Sequence, residues 1–297
     1  MVIDDIHKIC VTGAGQMGAQ IALQAALAGY RVALHDVSAA QLEKAIAGNR
    51  PHLDRRVEKG KLSAADAEAA FARLSPTSSL EEACADADFV IEAVVELLDI
   101  KRQVFAELDR LAPAHAILAT NSSYLGSSRL VDATRRPDKV LNMHFFYPPL
   151  VMQLVEVVRG EHTSEESVDV TVELARRLGK VPVRVNRELP GFLVNRILRA
   201  ITNEAYFLLD QGVASFDDID LACELGLNHP MGPFRLGDFS GLDIGYNARM
   251  ERLRETGDES YRPSPELEKR VLRGDLGRKT GRGFYDYGSQ PPKPVKD

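Results

Sequence analysis

The segment HKICVTGAGQMGAQIA, residues 7–22, decides the fold of this chain. Its first part, residues 7–12, is apolar and β-branched and predicts a short strand. Glycines 13, 15 and 18 follow directly, and helix-forming residues begin at Gln16. A GxGxxG motif is weak alone. Between a predicted strand and a predicted helix, it indicates a turn whose backbone N–H groups hold a phosphate group.

A carboxylate follows the next predicted strand, residues 31–35. Asp36 lies 21 residues after Gly15. A carboxylate at this distance can accept both ribose hydroxyls of NAD and would repel the 2′-phosphate of NADP. We therefore predict NAD as the cofactor. The residues predicted to bind it here are Gly13, Gly15, Gln16, Met17, Gly18 and Asp36. The alternative is a structural glycine turn beside a surface aspartate.

Strand and helix patterns alternate through the first part of the chain. The predicted strands cover residues 7–12, 31–35, 89–94, 116–120, 140–143 and 181–185. The predicted helices cover residues 16–28, 39–59 and 100–111. Because the connections are short and the two patterns alternate, we expect a parallel, doubly wound sheet.

The pattern becomes helical after residue 186. Helices are predicted at residues 191–210, 216–225, 232–237, 243–255 and 265–273, with one possible strand at 284–287. The broad apolar stripe of residues 191–210 predicts a long core helix. We therefore expect an α/β protein with a Rossmann-type doubly wound sheet at residues 1–186, followed by an all-α C-terminal domain at residues 187–297.

Composition excludes several classes of protein. The 297 residues are 44% hydrophobic and 27% charged, which excludes a mostly disordered chain. The net charge of −6 offers no bulk attraction to nucleic acid or to an anionic membrane. No apolar run approaches the roughly 20 residues of a membrane helix. The histidines and cysteines show no HExxH or CxxC spacing, so we expect no metal site.

The cysteines and the N-terminal residues bear on localisation. Cys10, Cys84 and Cys223 are far apart and odd in number, which indicates reduced thiols and no disulfide framework. The start, MVIDDIHKIC, has two acidic residues and no long apolar stretch, unlike a secretory signal. We expect a cytoplasmic protein.

His144 is the first candidate for a catalytic residue. It ends a predicted strand and precedes the sequence FFYPP. Glu156 is the only acid in the apolar segment MQLVEVV, and a lone carboxylate there needs a partner. A pair formed by His144 and Glu156 would fix the histidine tautomer and suit a general base near neutral pH. A core histidine with satisfied hydrogen bonds is the alternative.

Motifs spread over nearly the whole chain are highly specific when taken together. They read GAGQMGAQIA, IEAVVELLDIKRQVFAELD, ILATNSS, MHFFYPP, LVEVV, LPGFLVNRIL, HPMGPFRLGDFSGLD and GRKTGRGFYDY. In these motifs the sequence resembles the 3-hydroxyacyl-CoA dehydrogenase family. The resemblance implies NAD-dependent interconversion of 3-hydroxyacyl-CoA and 3-ketoacyl-CoA, as in the β-oxidation of fatty acids. It also implies a helical C-terminal domain that forms a homodimer and closes the cleft.

The resemblance also implies roles for individual residues. His144 matches the catalytic histidine of the family, and Glu156 matches the carboxylate that orients it. Ser123 matches the serine that binds the 3-oxygen of the substrate, and Asn195 matches an asparagine that lines the same site. The residues that match positions on the nicotinamide side of the cofactor are Glu96, Lys101 and Asn121.

Several of these residues have a structural alternative. Ser123 could cap a short helix at residues 124–130. Glu96 and Lys101 could form an ordinary surface pair. Asn195 lies in an apolar helical stripe, where an unpartnered amide is costly, so we expect a ligand or a partner for it.

Two further features bear on the substrate. The residues of a basic cluster, Arg55, Arg56, Lys59 and Lys61, could hold the phosphates of coenzyme A or could be the solvated face of a helix. The family usually reads HFFNP where this chain has Tyr147. Substrate shape or activity level can therefore differ from the family pattern without a change in the role of His144.

The predicted function is the NAD-dependent oxidation of an acyl-CoA substrate at C3, with His144 as the base. One alternative is a related dehydrogenase that acts on a free 3-hydroxy acid or a carnitine-like substrate. The other is an NAD-binding protein without turnover.

Overall fold

The computed structural model describes residues 2–295 and contains two compact units, which divide between Leu193 and Val194. The change of pattern in the sequence predicts a division near residue 186. The intervening residues belong to the first unit because they pack on it. Glu188 accepts a hydrogen bond from Ser127 Oγ at 2.5 Å, and Phe192 packs in a small cluster with buried valines of this unit.

The first unit has an α/β structure. Its strands are β1 (Lys8–Thr12), β2 (Arg31–His35), β3 (Leu74–Thr77), β4 (Phe89–Glu92), β5 (Ile117–Thr120), β6 (Val140–Phe145), β7 (Leu154–Val158) and β8 (Val181–Val185). Its helices are α1 (Gln16–Leu27), α2 (Ala39–Glu58), α3 (Ala64–Ala72), α4 (Leu80–Cys84), α5 (Leu98–Leu111) and α6 (Glu165–Arg177).

These strands form a single sheet in the order β3-β2-β1-β4-β5-β6-β7-β8. Strands β1 to β6 are parallel, which confirms the predicted Rossmann-type, doubly wound sheet. Strands β7 and β8 run in the opposite direction, contrary to an entirely parallel sheet. The physical reason is the short connection between β6 and β7, since a parallel pair needs a crossover of about a dozen residues or more.

Three helices, α3, α4 and α6, were not expected from the sequence pattern. Each begins after a serine whose side-chain oxygen accepts a hydrogen bond from a backbone N–H of the first turn. These serines are Ser63, Ser79 and Ser164. Serine is a preferred N-cap residue, so the signal was present in the sequence at all three positions.

The second unit is mainly helical, as predicted. Its elements are α7 (Val194–Asp210), α8 (Phe216–Gly226), α9 (Pro233–Ser240), α10 (Leu242–Thr256), α11 (Pro265–Arg273), β9 (Tyr285–Asp286) and β10 (Lys293–Pro294). The two short strands pair in antiparallel fashion, which an all-α domain would not contain. Aromatic side chains form much of the core, where the rings of Phe234 and Phe284 lie 4.7 Å apart.

Helix α7 is not the core helix that its apolar stripe predicted. It begins at Val194 instead of residue 191, because Gly191 and Phe192 have positive φ angles of 81° and 45°. Its buried residues are Ala205 and Tyr206 alone among those described, whereas the Ile197 side chain is 61% exposed. Much of the stripe is therefore a surface of this chain.

Candidate active site

The glycine turn between β1 and α1 has the shape that a dinucleotide requires. Gly13 has a φ of 98°, and a Cβ atom there would collide with the backbone of Ala93. A Cβ atom at Gly18 would overlap the carbonyl oxygen of Gly13, so the turn packs tightly beneath the helix. A Cβ atom at Gly15 would meet no atom within 4 Å, which leaves that side open for a pyrophosphate.

An open cleft of about 970 Å³ lies over this turn. The predicted cofactor residues that line it are Gly13, Gly15, Gln16, Met17 and Asp36. Asp36 is fixed at the end of β2, since its two oxygens accept hydrogen bonds from Ala14 N at 2.8 Å and Ser38 N at 2.9 Å. Each oxygen keeps a lone pair for a ribose hydroxyl. The described residues that line the cleft include no arginine to attract a 2′-phosphate. The cleft therefore fits NAD.

Lys101 and Glu96 do not form an ordinary surface pair. Lys101 is only 1% exposed, and its Nζ lies 2.6 Å from Glu92 Oε1 and 3.3 Å from Glu96 Oε2. Glu92 is fully buried, and its other oxygen accepts a hydrogen bond from Thr120 Oγ1 at 2.7 Å. The ion pair therefore ties the end of β4 to the end of β5 and to helix α5.

The loop after β5 connects this ion pair to His144. Asn121 Oδ1 accepts a hydrogen bond from Phe145 N at 2.9 Å, while its side-chain N–H groups bond to none of the described residues. The expected helix at residues 124–130 is not formed, and a 3-10 helix covers Ser127–Arg129 with Gly126 at its N-cap. Ser122 Oγ instead accepts a hydrogen bond from Leu125 N at 2.8 Å. Ser122 Oγ also donates to Glu96. The Ser123 hydroxyl is left to face the histidine.

The antiparallel register of β6 and β7 places His144 directly opposite Glu156. The Nδ1 atom of His144 lies 2.8 Å from Glu156 Oε2, and its Nε2 atom lies 3.1 Å from Ser123 Oγ. Both members of the pair are buried. An Nδ1–H group donates to the carboxylate in this arrangement, so Nε2 presents its lone pair toward the serine.

Aromatic rings and a backbone donor complete the surroundings of this pair. The His144 ring lies 4.6 Å from the ring of Phe146 and 5.6 Å from that of Phe192. Leu193 N donates a hydrogen bond of 3.1 Å to the second oxygen of Glu156. Tyr147, which replaces the usual asparagine of the family pattern, is 58% exposed.

Asn195 is the second residue of α7 and lies in the second unit. It is only partly buried. Solvent can therefore hydrogen-bond to its amide, and burial does not require a ligand or a protein partner there. Its assignment to the substrate site rests on the resemblance alone.

The basic cluster faces a concave surface and not only solvent. Its four residues, Arg55, Arg56, Lys59 and Lys61, line a cavity of about 480 Å³ together with His52, Leu150 and Val151. The described lining contains no carboxylate. Arg56 donates a hydrogen bond of 3.0 Å to the carbonyl oxygen of Leu150. Four cations around a cavity suit a phosphate-bearing ligand.

Two observations concern metals and membranes. Among residues 2–295, no group of three or more His, Cys, Asp or Glu side chains is placed to hold a metal ion. In the same residues, no helix has the length and apolar character needed to cross a membrane.

Both parts of the chain match models of one protein family. Residues 8–189 match the NAD-binding domain of 3-hydroxyacyl-CoA dehydrogenase, and residues 191–287 match its C-terminal domain. The chain belongs to the 3-hydroxyacyl-CoA dehydrogenase family. It is accordingly an oxidoreductase that acts on a CH–OH group with NAD as its cofactor.

Individual relatives of this dehydrogenase match it over almost their full length. A probable 3-hydroxybutyryl-CoA dehydrogenase of Bacillus subtilis (strain 168) is 45% identical over 284 residues, which cover 95% of this chain and 98% of the relative. The crystal structure of (S)-3-hydroxybutyryl-CoA dehydrogenase from Ralstonia eutropha gives a TM-score of 0.87 at 39% identity, covering 96% of this chain and 100% of that one. A diketoreductase structure gives a TM-score of 0.86 at 34% identity, covering 95% of this chain and 99% of that one.

Sequence reasoning missed two residues of the dehydrogenase site, Glu92 and Ser122. Glu92 ends the apolar run FVIE, so it carried the same signal that identified Glu156. Ser122 carried no separate signal, because the sequence does not distinguish between the adjacent serines at 122 and 123.

Proposed function

We propose that this dehydrogenase interconverts 3-hydroxybutyryl-CoA and its 3-ketoacyl-CoA, with His144 as general base and acid. The observation that carries the proposal is the position of the His144 ring, which lies within hydrogen-bond distance of Glu156 on one side and Ser123 on the other. The choice of a short acyl chain comes from two relatives, 45% and 42% identical, whose names include 3-hydroxybutyryl-CoA. The same oxidation at C3 would serve fatty acid β-oxidation.

In the proposed oxidation, His144 Nε2 takes the proton of the C3 hydroxyl. Glu156 then stabilises the imidazolium, because its carboxylate already accepts the hydrogen bond from Nδ1. The Ser123 hydroxyl, 3.1 Å from Nε2, holds the same substrate oxygen. In the reverse direction, Nε2–H returns the proton to the ketone oxygen. Bound NAD supplies the acceptor for the hydride from C3.

The remaining predicted site residues serve binding in this proposal. The backbone of the glycine turn would hold the pyrophosphate, and Asp36 would hold the ribose hydroxyls. Asn121 would use its free side-chain N–H groups on the nicotinamide side, next to Glu96 and Lys101. The assignment of Asn195 to the substrate oxygen stays a prediction from the resemblance.

We propose that the basic cluster holds the phosphates of coenzyme A. The paired variant Arg55→Ala/Lys59→Ala removes two of its four cations, and we expect the KM for an acyl-CoA to rise about tenfold. Lys44→Ala is the matched control, since Lys44 is an exposed cation on the same helix outside the cavity lining. Equal KM values for the control and the paired variant would place coenzyme A elsewhere.

The substrate is tested with the purified enzyme, by following NADH oxidation with acetoacetyl-CoA, longer 3-ketoacyl-CoA esters and free acetoacetate. We expect turnover of acetoacetyl-CoA and a clear preference for NADH over NADPH. Faster turnover of free acetoacetate than of acetoacetyl-CoA would favour the alternative, a dehydrogenase of free 3-hydroxy acids. No NADH oxidation with any of these compounds would overturn the proposal.

We also propose that the enzyme is a cytoplasmic homodimer. Large apolar side chains of the second unit are exposed in the single chain, at Ile197, Phe207, Leu221, Leu225, Phe239 and Ile244. A second copy of the chain would cover such a surface. Light scattering on the purified enzyme should give twice the chain mass, and Phe207→Glu should shift it toward the monomer. A wild-type mass equal to one chain would contradict the dimer.

A further inference from the structure

The loop at residues 146–153 joins the strand of His144 to the strand of Glu156. Two cations from other elements bind its carbonyl oxygens. Lys180 Nζ donates to Pro149 O and, at 3.0 Å, to Met152 O. Arg56 on α2 donates to Leu150 O at 3.0 Å. The proposed mechanism assigns no role to either contact with the loop.

We propose that Lys180 is a positioning residue: together with Arg56 it fixes the loop between His144 and Glu156, and an anion in the basic cavity strengthens that hold. The inference rests on the proposed function, since it takes this pair as the reacting groups and the cavity as a phosphate site. It goes further by linking substrate binding at the cavity to the geometry of the acid–base pair.

The position of Lys180 explains how it can act on the pair. It is buried, and it directly precedes β8. The next residue donates its backbone N–H to Gln153 O at 2.8 Å, so the chain at Lys180 is fixed to the start of β7. Its ammonium group donates hydrogen bonds to two carbonyl oxygens of the loop. Next to this loop, Phe145 pairs with Val155, and the following pair is His144 with Glu156.

The charges around Lys180 connect it to the basic cavity. Burial, and with it the nearby Arg56 guanidinium, lowers the pKa of Lys180 to about 8. No carboxylate in the described part of the chain forms an ion pair with Lys180. Gln20, which accepts a hydrogen bond from Leu150 N, is neutral. The walls of the basic cavity carry, besides Arg56, the cations Arg55, Lys59 and Lys61.

An anion bound beside Arg56 offsets this positive field, and the pKa of Lys180 must then rise. Near pH 8 the amine is about half protonated in the free enzyme, so binding of the anion draws a proton from solvent. His52, which lines the same cavity, has a pKa below its ordinary value through burial and through Arg55 and Arg56. Any proton uptake by His52 therefore falls at a lower pH than that of Lys180.

The first test measures this proton uptake by isothermal titration calorimetry. The ligand is adenosine 3′,5′-bisphosphate, because it carries phosphate groups but no thiol that would itself titrate near pH 8. Comparison of two buffers with different heats of ionisation at pH 8 gives the number of protons taken up. We expect uptake of up to about half a proton by the wild-type enzyme and almost none by Lys180→Met. If the wild-type enzyme binds the compound without taking up protons, the link between the cavity and Lys180 is wrong. If the enzyme does not bind the compound, the cavity is not a phosphate site.

The second test compares Lys180→Met, Lys180→Arg and Lys139→Met across pH 7 to pH 9, with acetoacetyl-CoA and NADH. Lys139 is the matched control, because it is a partly buried lysine far from the loop in sequence that also donates to a backbone carbonyl, Ala114 O, at 3.1 Å. For Lys180→Met we expect a kcat about tenfold to a hundredfold lower, with an unchanged KM for NADH. Lys180→Arg keeps its cation above pH 8, so its kcat/KM for acetoacetyl-CoA, which reports the free enzyme, should lose the fall that the wild-type enzyme shows above pH 8.

The outcomes separate this inference from the proposed function. If the wild-type enzyme turns over acetoacetyl-CoA while Lys180→Met behaves like Lys139→Met, the positioning role is wrong and the proposed function stands. If the wild-type enzyme shows no turnover, the proposed function fails, and with it the positioning role. If Lys180→Met has no cooperative unfolding transition, the pH profile of Lys180→Arg decides, and a profile identical to wild type contradicts the inference.

Discussion

Glu92 on β4 and Glu156 on β7 occupy similar places and have different partners. Each is a lone acid in an apolar strand, and each is fully buried. Glu92 lies 2.6 Å from the ammonium group of Lys101, and Glu156 lies 2.8 Å from the imidazole of His144. Lysine ordinarily titrates far above neutral pH, whereas histidine titrates near it.

This difference separates an ion pair that holds the sheet together from a pair that can move a proton. With lysine, the carboxylate has a partner that serves as a fixed counterion, and removal of either member of the pair would leave a buried charge. With histidine, the partner can be neutral or charged, so the carboxylate stabilises one of two protonation states.

The largest effect is expected for His144→Gln. Glutamine keeps a polar side chain but cannot accept and return the proton, so kcat with acetoacetyl-CoA should fall about 10³-fold. Steady-state NADH oxidation measures it. His115→Gln is the control, because His115 also contacts a carboxylate, Asp88 at 2.9 Å, but is 51% exposed. A kcat that falls equally in both variants would contradict the role of His144.

Glu92→Gln should mainly affect stability. It leaves the buried Lys101 without its principal counterion, and we expect the free energy of unfolding to fall by about 3 kcal/mol. Denaturant titration followed by circular dichroism measures the loss. If Glu156→Gln proves to be the less stable of the two variants, the comparison is reversed.

Glu156→Gln should mainly affect the rate. Its amide oxygen still accepts a hydrogen bond from the His144 Nδ1–H group, and a neutral histidine leaves no buried charge. The imidazolium, however, loses its carboxylate, so we expect kcat to fall about 10²-fold. A variant that keeps more than half of the wild-type kcat would show that Glu156 has only a structural role.

The smallest effect is expected for Glu96→Gln. Glu96 is 43% exposed and lies 3.3 Å from Lys101, so solvent screens much of this interaction. The free energy of unfolding should fall by about 0.5 kcal/mol. The same denaturant titration measures it, and a loss as large as that of Glu92→Gln would show that burial is not what distinguishes the two acids.

Local sequence patterns predicted much of the fold and failed for identifiable reasons. The strand at Arg31–His35 and the helix at Pro265–Arg273 appear with the predicted bounds. The reversed direction of β7 was not predictable from periodicity, because an apolar strand has the same side-chain pattern in either direction. The exposure of Ile197 was also hidden, since an apolar stripe is the same whether it faces a core or another surface.

The site was predictable where the residues themselves demanded partners. A lone acid in an apolar strand indicated the His144–Glu156 pair, which the antiparallel register places face to face. Ser123, which the structure places 3.1 Å from the histidine, was singled out only by the resemblance, because serine is also common at helix starts. The loop contacts of Lys180 had no local signal, since they join segments 28 residues or more apart in the chain.

The antiparallel pairing of β6 and β7 has a consequence for the order in which the enzyme assembles. His144 and Glu156 are separated by only 12 residues, so closing the chain between them costs little conformational entropy. The glycine turn instead depends on β1 pairing with β4, where Ile9 meets Phe89 across a much longer stretch of chain. A full-length chain that refolds can thus bring its acid and base together in a hairpin before the cradle for its cofactor exists.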